Sequence, residues 1–183
     1  MDILELIKTR RSIRKYKSDP VDDNTLDELL ESARWAPSWK NSQCWRLVVV
    51  KESAVKEELA NTMVLPNSAY EALKQAPVVI VACAEMGKSG YVQGEAGTDK
   101  GDYWYMFDVA LATQNLVLTA HSRGLATVYI GLFDAGKAAD IIGLPSGFCV
   151  VTMLLLGYPD DAGRTPSRRE LPETVSYEKF GSA

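Results

Sequence analysis

The chain has 183 residues, which is the length of one globular domain with a sizeable core. Its composition is 46% hydrophobic and 24% charged, with 13 glycines and 8 prolines, and these values exclude a collagen-like chain, a low-complexity polymer and wholesale disorder. The formal net charge is -4, which argues against a nucleic-acid binder or a protein of anionic membranes, because both need a positive surface.

The cysteines predict a reducing compartment. Cys44, Cys83 and Cys149 are odd in number and far apart, whereas a secreted disulfide framework needs more cysteines at closer spacing. We therefore expect free thiols and a cytoplasmic protein. With His121 as the one histidine and no cysteine cluster, neither a zinc site nor an iron–sulfur site is expected. The first residues do not resemble a signal peptide, and the longest apolar run, 150–156, is too short to span a bilayer.

Apolar periodicity predicts alternating helices and strands in the first half of the chain. The expected elements are helix 3–9, a helix that begins after caps at 22–24 and stops at Pro37, strand 45–51, helix 53–62, a short helix 68–76 and strand 78–84. Ser68 followed by Glu71 predicts a capping box at the start of the short helix. Five glycines then mark a loop over 87–101, a length typical of functional lids or of disorder.

The second half begins with the longest predicted helix, 103–122, which is nearly all apolar and so should be buried on most sides. Gly124 follows it as a C-terminal cap, and the next elements are strand 126–130, a helix from Asp134 to Ile142 and strand 148–156. From 157 to 183 the tail is aperiodic and proline-containing, which predicts an extended arm that lies on another surface. The whole chain, 1–183, is expected to form a single domain, an α/β layered sandwich.

Basic residues cluster directly after the first predicted helix. Arg10, Arg11, Ser12 and Arg14 combine guanidinium groups, which bind phosphate through paired N–H groups, with a hydroxyl that adds a hydrogen bond. In an acidic protein so local a cluster suits one anionic group better than a polymer. The alternative is a solvated surface turn. The tail carries a second basic pair, Arg168 and Arg169, which is a further candidate for anion binding. The alternative for this pair is a solvated arm.

Polar and aromatic residues are interspersed over 37–45, between a helix and a buried strand. Ser38, Asn41 and Gln43 supply directional donors and acceptors, while Trp39 and Trp45 supply flat apolar faces. This combination suits a planar heterocycle with polar edges. The alternative is a connecting loop with two core tryptophans, a role in which the second tryptophan would be surplus.

Residues 129–134 lie at the C-terminal end of a predicted strand, where ligands bind in open α/β sheets. Gly131 would let a backbone N–H group approach a ring system closely, although for this segment by itself a plain turn between strand and helix is the favoured explanation. The Gly-Lys-Ser sequence at 87–89 matches the end of a phosphate-binding loop, but Ala82 stands where that motif needs glycine, so a nucleoside triphosphatase is not expected. No GxGxxG or GxSxG motif is present.

Taken together and in this order, the segments resemble the FMN-dependent nitroreductase family over nearly the whole chain. The resemblance rests on Arg10-Arg11-Ser12-Ile13-Arg14, Ala36-Pro37-Ser38, Asn41-x-Gln43-x-Trp45, Ala76-Pro77, Gln114-Asn115-Leu116, Gly124-Leu125, Ile130-Gly131 with Phe133, Gly157-Tyr158-Pro159 and Arg168-Arg169. It implies a mixed central sheet flanked by helices. It also implies an intertwined homodimer, in which the arm embraces the partner and the helix from Tyr103 supplies the interface.

The resemblance also implies roles for individual residues at two FMN sites between the subunits. Those implied to hold the phosphate and ribityl chain are Arg10, Arg11, Ser12, Arg14 and Arg168. Those implied to lie against the flavin are Pro37, Ser38, Trp39, Asn41 and Gln43 from the other subunit, together with Asn67, Ile130, Gly131 and Leu132. Tyr103 and Trp104 are implied to face the substrate. The resemblance gives no side chain the part of a general acid.

The implied activity is that of an oxidoreductase that takes hydride from NADPH or NADH and reduces nitroaromatic, quinone or similar electron-poor acceptors in a ping-pong cycle. Two positions depart from the family pattern: Cys44 replaces a common proline, and Pro166 replaces a second basic residue, so phosphate binding should depend more on the N-terminal arginines. Alternatives within the same resemblance are flavin destruction, reductive dehalogenation and azoline oxidation. A non-catalytic flavin-binding module is a further alternative.

Overall fold

The computed structural model describes residues 2–181 and places helices on both faces of an antiparallel sheet. The helices are α1 (Ile3–Thr9), α2 (Asp23–Arg34), α3 (Ser53–Ala60), α4 (Tyr70–Gln75), α5 (Trp104–Ser122), α6 (Ala135–Ile141) and α7 (Leu171–Thr174). The strands are β1 (Trp45–Val50), β2 (Val78–Glu85), β3 (Tyr91–Val92), β4 (Glu95–Ala96), β5 (Ala126–Ile130) and β6 (Phe148–Gly157). Short 3₁₀ turns occupy Trp39–Asn41 and Gly101–Tyr103.

The main sheet has the strand order β1-β2-β6-β5, and each neighbouring pair is antiparallel. A parallel contribution comes from the N-terminal segment, because Ser12 forms a parallel bridge with Thr127 of β5 and the Ile13 N–H donates to the Thr127 carbonyl at 3.1 Å. The basic segment predicted from the sequence therefore lies along the β5 edge of the sheet. The predicted fold class, a layered sandwich with helices flanking a central sheet, is confirmed.

The two faces of the sheet form two apolar layers. Along β2, Val79 and Val81 face α3, α4 and α6, whereas Val78 and Ile80 face α2 and α5. All four are at most 1% exposed, which explains why β2 is continuously apolar rather than alternating. Burying each such side chain contributes roughly 1.5–3 kcal/mol, so the layers fix the helices that carry the site.

Cap hydrogen bonds form at two of the three helix starts where the sequence offers a capping residue. The Asp22 side chain accepts from the Thr25 N–H at 2.9 Å, and the Asp134 side chain accepts from the Lys137 N–H at 3.0 Å. The predicted capping box between Ser68 and Glu71 is wrong, because Asn67 Oδ1 accepts from the Ala69 N–H at 2.9 Å and α4 begins only at its Tyr70. An Asx turn thus replaces the capping box.

The glycine-rich segment contains a hairpin of β3 and β4 that the sequence analysis did not predict. Gln93 and Gly94 both have positive φ, 54° and 85°, as favoured two-residue hairpin turns require. The Gly97 N–H donates to the Gly90 carbonyl at 2.8 Å and closes the base. The segment is therefore a defined lid-like projection beside α5.

Helix α5 is buried on one side and exposed on the other, which differs from the predicted burial on most sides. Val109 and Leu116 are fully buried, whereas Met106 and Phe107 are 48% and 58% exposed. Helix α1 lies beside it with Ile3, Leu4 and Ile7 also largely exposed. Over residues 2–181, no helix combines the length and the apolar character needed to cross a membrane.

Candidate functional site

The basic segment is held in place by two buried side chains. Ile13 and Tyr16 are 4% and 8% exposed, and the Tyr16 hydroxyl donates to the Ile13 carbonyl at 2.7 Å. The Lys17 N–H donates to the Tyr158 carbonyl at 2.9 Å, which ties the segment to the end of β6. The arginines that flank Ile13 are thereby fixed at the edge of the sheet rather than left in a solvated turn.

Four of the predicted phosphate-binding arginines line one cavity with a volume of about 390 Å³. Its lining consists of Arg10, Arg11, Ser12, Arg14, Arg164, Pro166 and Arg168. No aspartate or glutamate is among these described lining residues. Five guanidinium groups around one cavity suit an anion with several oxygen atoms, above all a phosphate monoester.

Arg164 is a member of this cavity that the sequence analysis missed. It precedes Arg168 by four positions, whereas the family pattern places a basic residue two positions before, where Pro166 stands. The extended arm brings both arginines to the lining of the cavity. The basic residue absent at 166 is therefore supplied at 164, so the cavity does not depend on the N-terminal arginines alone.

The electrostatics of the cavity are those of crowded positive charges. Burial lowers the pKa of Arg10, and the charges of Arg11 and Arg168 act in the same direction. Arg11 is partly occupied by the protein itself, since Nε donates to Thr165 Oγ1 at 3.1 Å and Nη1 to the Lys8 carbonyl at 2.5 Å. These bonds pin the arm to the basic segment. A bound dianion would relieve the remaining repulsion.

An adjoining cavity extends the basic site toward α5 and β5. Besides the arginines, it is lined by Gln114 of α5 and Tyr129 of β5, which lie in segments singled out from the sequence but were given no individual role there. Burial raises the pKa of Tyr129, so its hydroxyl stays protonated at neutral pH. An amide and a phenol next to Ser12 provide hydrogen-bonding groups suited to a polyhydroxylated chain.

The segment 38–43, which we call the flavin loop after its implied role, has an unusual backbone. Lys40, Asn41 and Gln43 have positive φ values of 44°, 57° and 47°, which are costly for residues with a Cβ atom. Ser38 Oγ accepts from the Gln43 N–H at 3.0 Å and closes the loop on itself. Pro37, which precedes the loop, is exposed. A bent, fixed loop presents its polar groups more definitely than a flexible one.

Aromatic residues gather beside the flavin loop. The rings of Trp39 and Trp104 meet edge to face with centroids 4.9 Å apart, and Phe107 lies 5.7 Å from Trp104. Tyr103 is 70% exposed at the same end of α5. The Nε1 atom of Trp39 is buried and has no hydrogen-bond partner within residues 2–181. The structure therefore unites the flavin loop with the two residues implied to face the substrate.

A third group of predicted residues lies at the C-terminal end of β5. Ile130 is buried, while Gly131 and Leu132 are exposed beyond it. The Val64 N–H donates to the Leu132 carbonyl at 3.2 Å, which brings the segment leading to Asn67 next to this strand end. Asn67 Oδ1 is engaged by the Ala69 N–H, so its Nδ2 group is the part of the side chain that remains to donate.

The predicted residues thus form three groups in one chain rather than one site. The arginine cavity is one group, the flavin loop with Tyr103 and Trp104 is the second, and the β5 end with Asn67 is the third. Among the described residues, the flavin loop does not line the arginine cavity.

The sequence profile of the nitroreductase family matches residues 7–158. The chain belongs to the nitroreductase family. The matched range includes all three groups except Arg164 and Arg168, which follow it in the arm. The match confirms the family resemblance inferred from the sequence.

Individual relatives and solved structures support the same family assignment for this nitroreductase-family chain. A candidate NADH dehydrogenase/NAD(P)H nitroreductase of Methanothermobacter thermautotrophicus is 31% identical, over 98% of this chain and 88% of the relative. The crystal structure of a nitroreductase family protein from Clostridium novyi NT has a TM-score of 0.78 and 31% identity, covering 100% of this chain and 97% of that one. The NADPH:FMN oxidoreductase of Vibrio harveyi in complex with NAD+ has a TM-score of 0.84 and 26% identity, covering 99% and 79%.

These likenesses confirm the predicted fold and identify the protein as an oxidoreductase. Family membership and the named relatives together support a flavin-dependent NAD(P)H oxidoreductase in general terms.

Proposed function

We propose that the protein is an FMN-dependent oxidoreductase that oxidises NADPH or NADH and reduces electron-poor acceptors such as nitroaromatics or quinones in a ping-pong cycle. The observation that carries the proposal is the cavity in which arginines from two distant segments, 10–14 and 164–168, converge without a carboxylate among the described lining residues. A phosphate monoester is a dianion whose oxygen atoms accept from several guanidinium groups, and FMN carries one.

The donor set fits the rest of FMN as well. Ser12, Gln114 and Tyr129 offer hydroxyl and amide groups for the ribityl hydroxyls beside the phosphate. The exposed backbone at Gly131 and the Nδ2 group of Asn67 offer donors of the kind that a flavin edge accepts. The contacts of Gly131 and Asn67 with the flavin are part of the proposal, and so is the assignment of Trp39, Asn41 and Gln43 to the flavin.

We further propose an intertwined homodimer, because one chain leaves the flavin loop outside the arginine cavity. A second copy would supply that loop, and exposed apolar side chains on α1 and α5 would cover one another. The arm, about 157–183, exposes Leu171, Tyr177 and Phe180 and would lie on the partner. These exposed surfaces support the proposal, since isolated chains seldom leave so much apolar area uncovered.

When bound, FMN supplies the hydride exchange between nicotinamide and acceptor. The chain's own residues bind the cofactor and orient the substrate. The arginines would hold the phosphate, and Trp104, whose ring packs edge to face with that of Trp39, would border the face on which a planar substrate stacks. We assign no side chain as general acid, because the substrate side is open and water can deliver protons there.

Visible absorption of the purified protein tests the proposal. The protein should bind FMN but not riboflavin, which lacks the phosphate, and its flavin band should bleach anaerobically with NADPH or NADH and return with a quinone or nitroaromatic. A flavin that no nicotinamide bleaches would favour the non-catalytic module. Bleaching without turnover of those acceptors would favour flavin destruction, dehalogenation or azoline oxidation. A protein that takes up no FMN would overturn the proposal.

A further inference from the structure

Asp108 is a buried carboxylate that joins three segments of the chain. It lies in α5, is 1% exposed, and its partners within residues 2–181 are neutral donors rather than a cation. Ser89 Oγ lies 2.5 Å and Ser42 Oγ 3.2 Å from Oδ2, and the Trp39 backbone N–H donates to both carboxylate oxygens at 3.1 and 3.2 Å. A buried carboxylate is stable only with such donors, so the cluster forms as a unit.

The flavin loop depends on these bonds for its backbone conformation. Lys40, Asn41 and Gln43 occupy the left-handed region, which side-chain-bearing residues retain only where their surroundings fix them. Asp108 holds Trp39 at one end of this stretch and Ser42 near the other. Without these bonds, the loop would relax toward commoner conformations and its polar groups would change direction.

The bond between Ser89 and Asp108 connects α5 to the hairpin of β3 and β4. Ser89 immediately precedes Gly90, which packs so tightly that an added Cβ would lie 2.8 Å from the Gly101 carbonyl and 2.8 Å from Trp104 Cβ. The bond from Ser89 to Asp108 therefore fixes the base of the hairpin against the start of α5. This base adjoins Trp104, which the proposed function places on the substrate side.

We propose that Asp108 is a positioning residue that holds the flavin loop and the hairpin in one arrangement, so that the cofactor side and the substrate side of the site are set together. The inference rests on the proposed FMN site, because the loop acts through its contact with the flavin. The two connections are separable: Ser42 and Trp39 lead to the cofactor, and Ser89 leads to the substrate.

A neighbouring thiol belongs to the same buried cluster. Cys44 Sγ lies 3.9 Å from Asp108 Oδ2, and burial is the main cause that raises the pKa of Cys44 to about 11, so the thiol stays protonated and can donate. The Asp108→Asn substitution would leave one carbonyl oxygen as acceptor and place an NH₂ donor among the donors of the cluster.

Hydrogen exchange in the flavin-free protein, followed by FMN titration and steady-state kinetics, tests the inference. In Asp108→Asn, the Trp39 amide should exchange about tenfold faster and the Kd for FMN should rise about tenfold. Ser42→Ala should raise the Kd for FMN. Ser89→Ala should leave that Kd within about twofold of wild type, speed exchange only in 89–101, and raise KM for the nicotinamide more than it lowers kcat.

The matched control is Val117→Ala, which removes packing at a fully buried position of the same helix, nine residues beyond Asp108. It should lower thermal stability but leave Trp39 exchange and FMN affinity unchanged. The inference is overturned if Asp108→Asn behaves like Val117→Ala, or if Ser89→Ala and Ser42→Ala cannot be told apart. Failure of the wild-type protein to bind FMN would instead overturn the proposed function, while the exchange data would still decide whether Asp108 fixes the loop.

Discussion

Two residues of the arm determine how complete the anion cavity is. Arg164 and Arg168 line it together with Arg10 and Arg14, although about 150 residues of sequence separate the two pairs. The start of the arm is tied to the basic segment by the bond between Arg11 and Thr165 and by the Asp160 N–H, which donates to the Lys15 carbonyl at 3.0 Å. A ligand that both pairs bind would therefore also fix the start of the arm.

We expect Arg168→Ala and Arg164→Ala each to weaken FMN binding by roughly 1.5–3 kcal/mol, because each removes a charge-assisted bond to phosphate. Fluorescence titration of the flavin-free protein would measure the change. Arg14→Ala should act in the same direction. The matched control is Arg169→Ala, which removes the neighbouring exposed charge outside the cavity lining and should bind FMN as wild type does. Equal FMN affinity in all four variants would contradict the phosphate assignment.

His121 is a reporter of the same charges. His121 lies in the last turn of α5, and its Nε2 is 2.9 Å from Oγ1 of Thr9 at the end of α1. Burial lowers the pKa of His121, and the charges of Arg10 and Arg11 lower it further. As the chain's one histidine, it can be titrated by NMR without ambiguity.

We expect the His121 pKa of the flavin-free protein to lie below its usual value of about 6.5 and to rise when FMN or inorganic phosphate is added, because a dianion offsets Arg10 and Arg11. The unfolded chain then binds this proton more readily than the folded chain, so stability is lost as pH falls below about 6.5. His121→Gln should flatten that pH dependence of the free energy of unfolding. A folded-state pKa above 6.5 without ligand would contradict the expectation.

At the scale of elements, apolar periodicity predicted every strand of the main sheet to within a residue or two. This succeeded because β2 and the other strands are long enough for burial to dominate their composition. The hairpin of β3 and β4 was not predicted, because strands of two residues are too short to show apolar periodicity. Asn67 displaced the predicted capping box because an asparagine side chain competes for the same backbone N–H groups.

The site was predictable in part for a different reason. The arginines, the flavin loop and the β5 end lie in segments that resemble family motifs, so their positions followed from motif order. Arg164 did not, because an aperiodic arm gives no register from which to infer where its side chains point. Asp108 carried one usable signal, a charge within an otherwise apolar helix, but its donors come from residues 39, 42 and 89, which only the fold brings together.

At the scale of the whole molecule, exposed apolar side chains of α1 and α5 support the proposed dimer. Met106 and Phe107 on α5 and Ile3 and Leu4 on α1 are all about half exposed or more. A stable interface buries on the order of 1,200–2,000 Å² with an apolar centre. The exposed face of α5, with the arm beside it, is the surface that an isologous dimer would bury, since each copy offers the other the same face.

We expect the wild-type protein to sediment at twice the chain mass at micromolar concentration, and Met106→Glu to shift it toward monomer. Each buried apolar side chain contributes roughly 1.5–3 kcal/mol, and a two-fold interface loses it twice. The matched control is Ala54→Glu, which adds the same charge at an exposed position of α3, on the opposite face of the sheet, and should remain dimeric. FMN should raise the melting temperature of wild type more than that of Met106→Glu, because in the proposed dimer the flavin loop of one copy completes the site of the other. A wild-type monomer that binds FMN as tightly as any variant would show instead that one chain forms the site by itself.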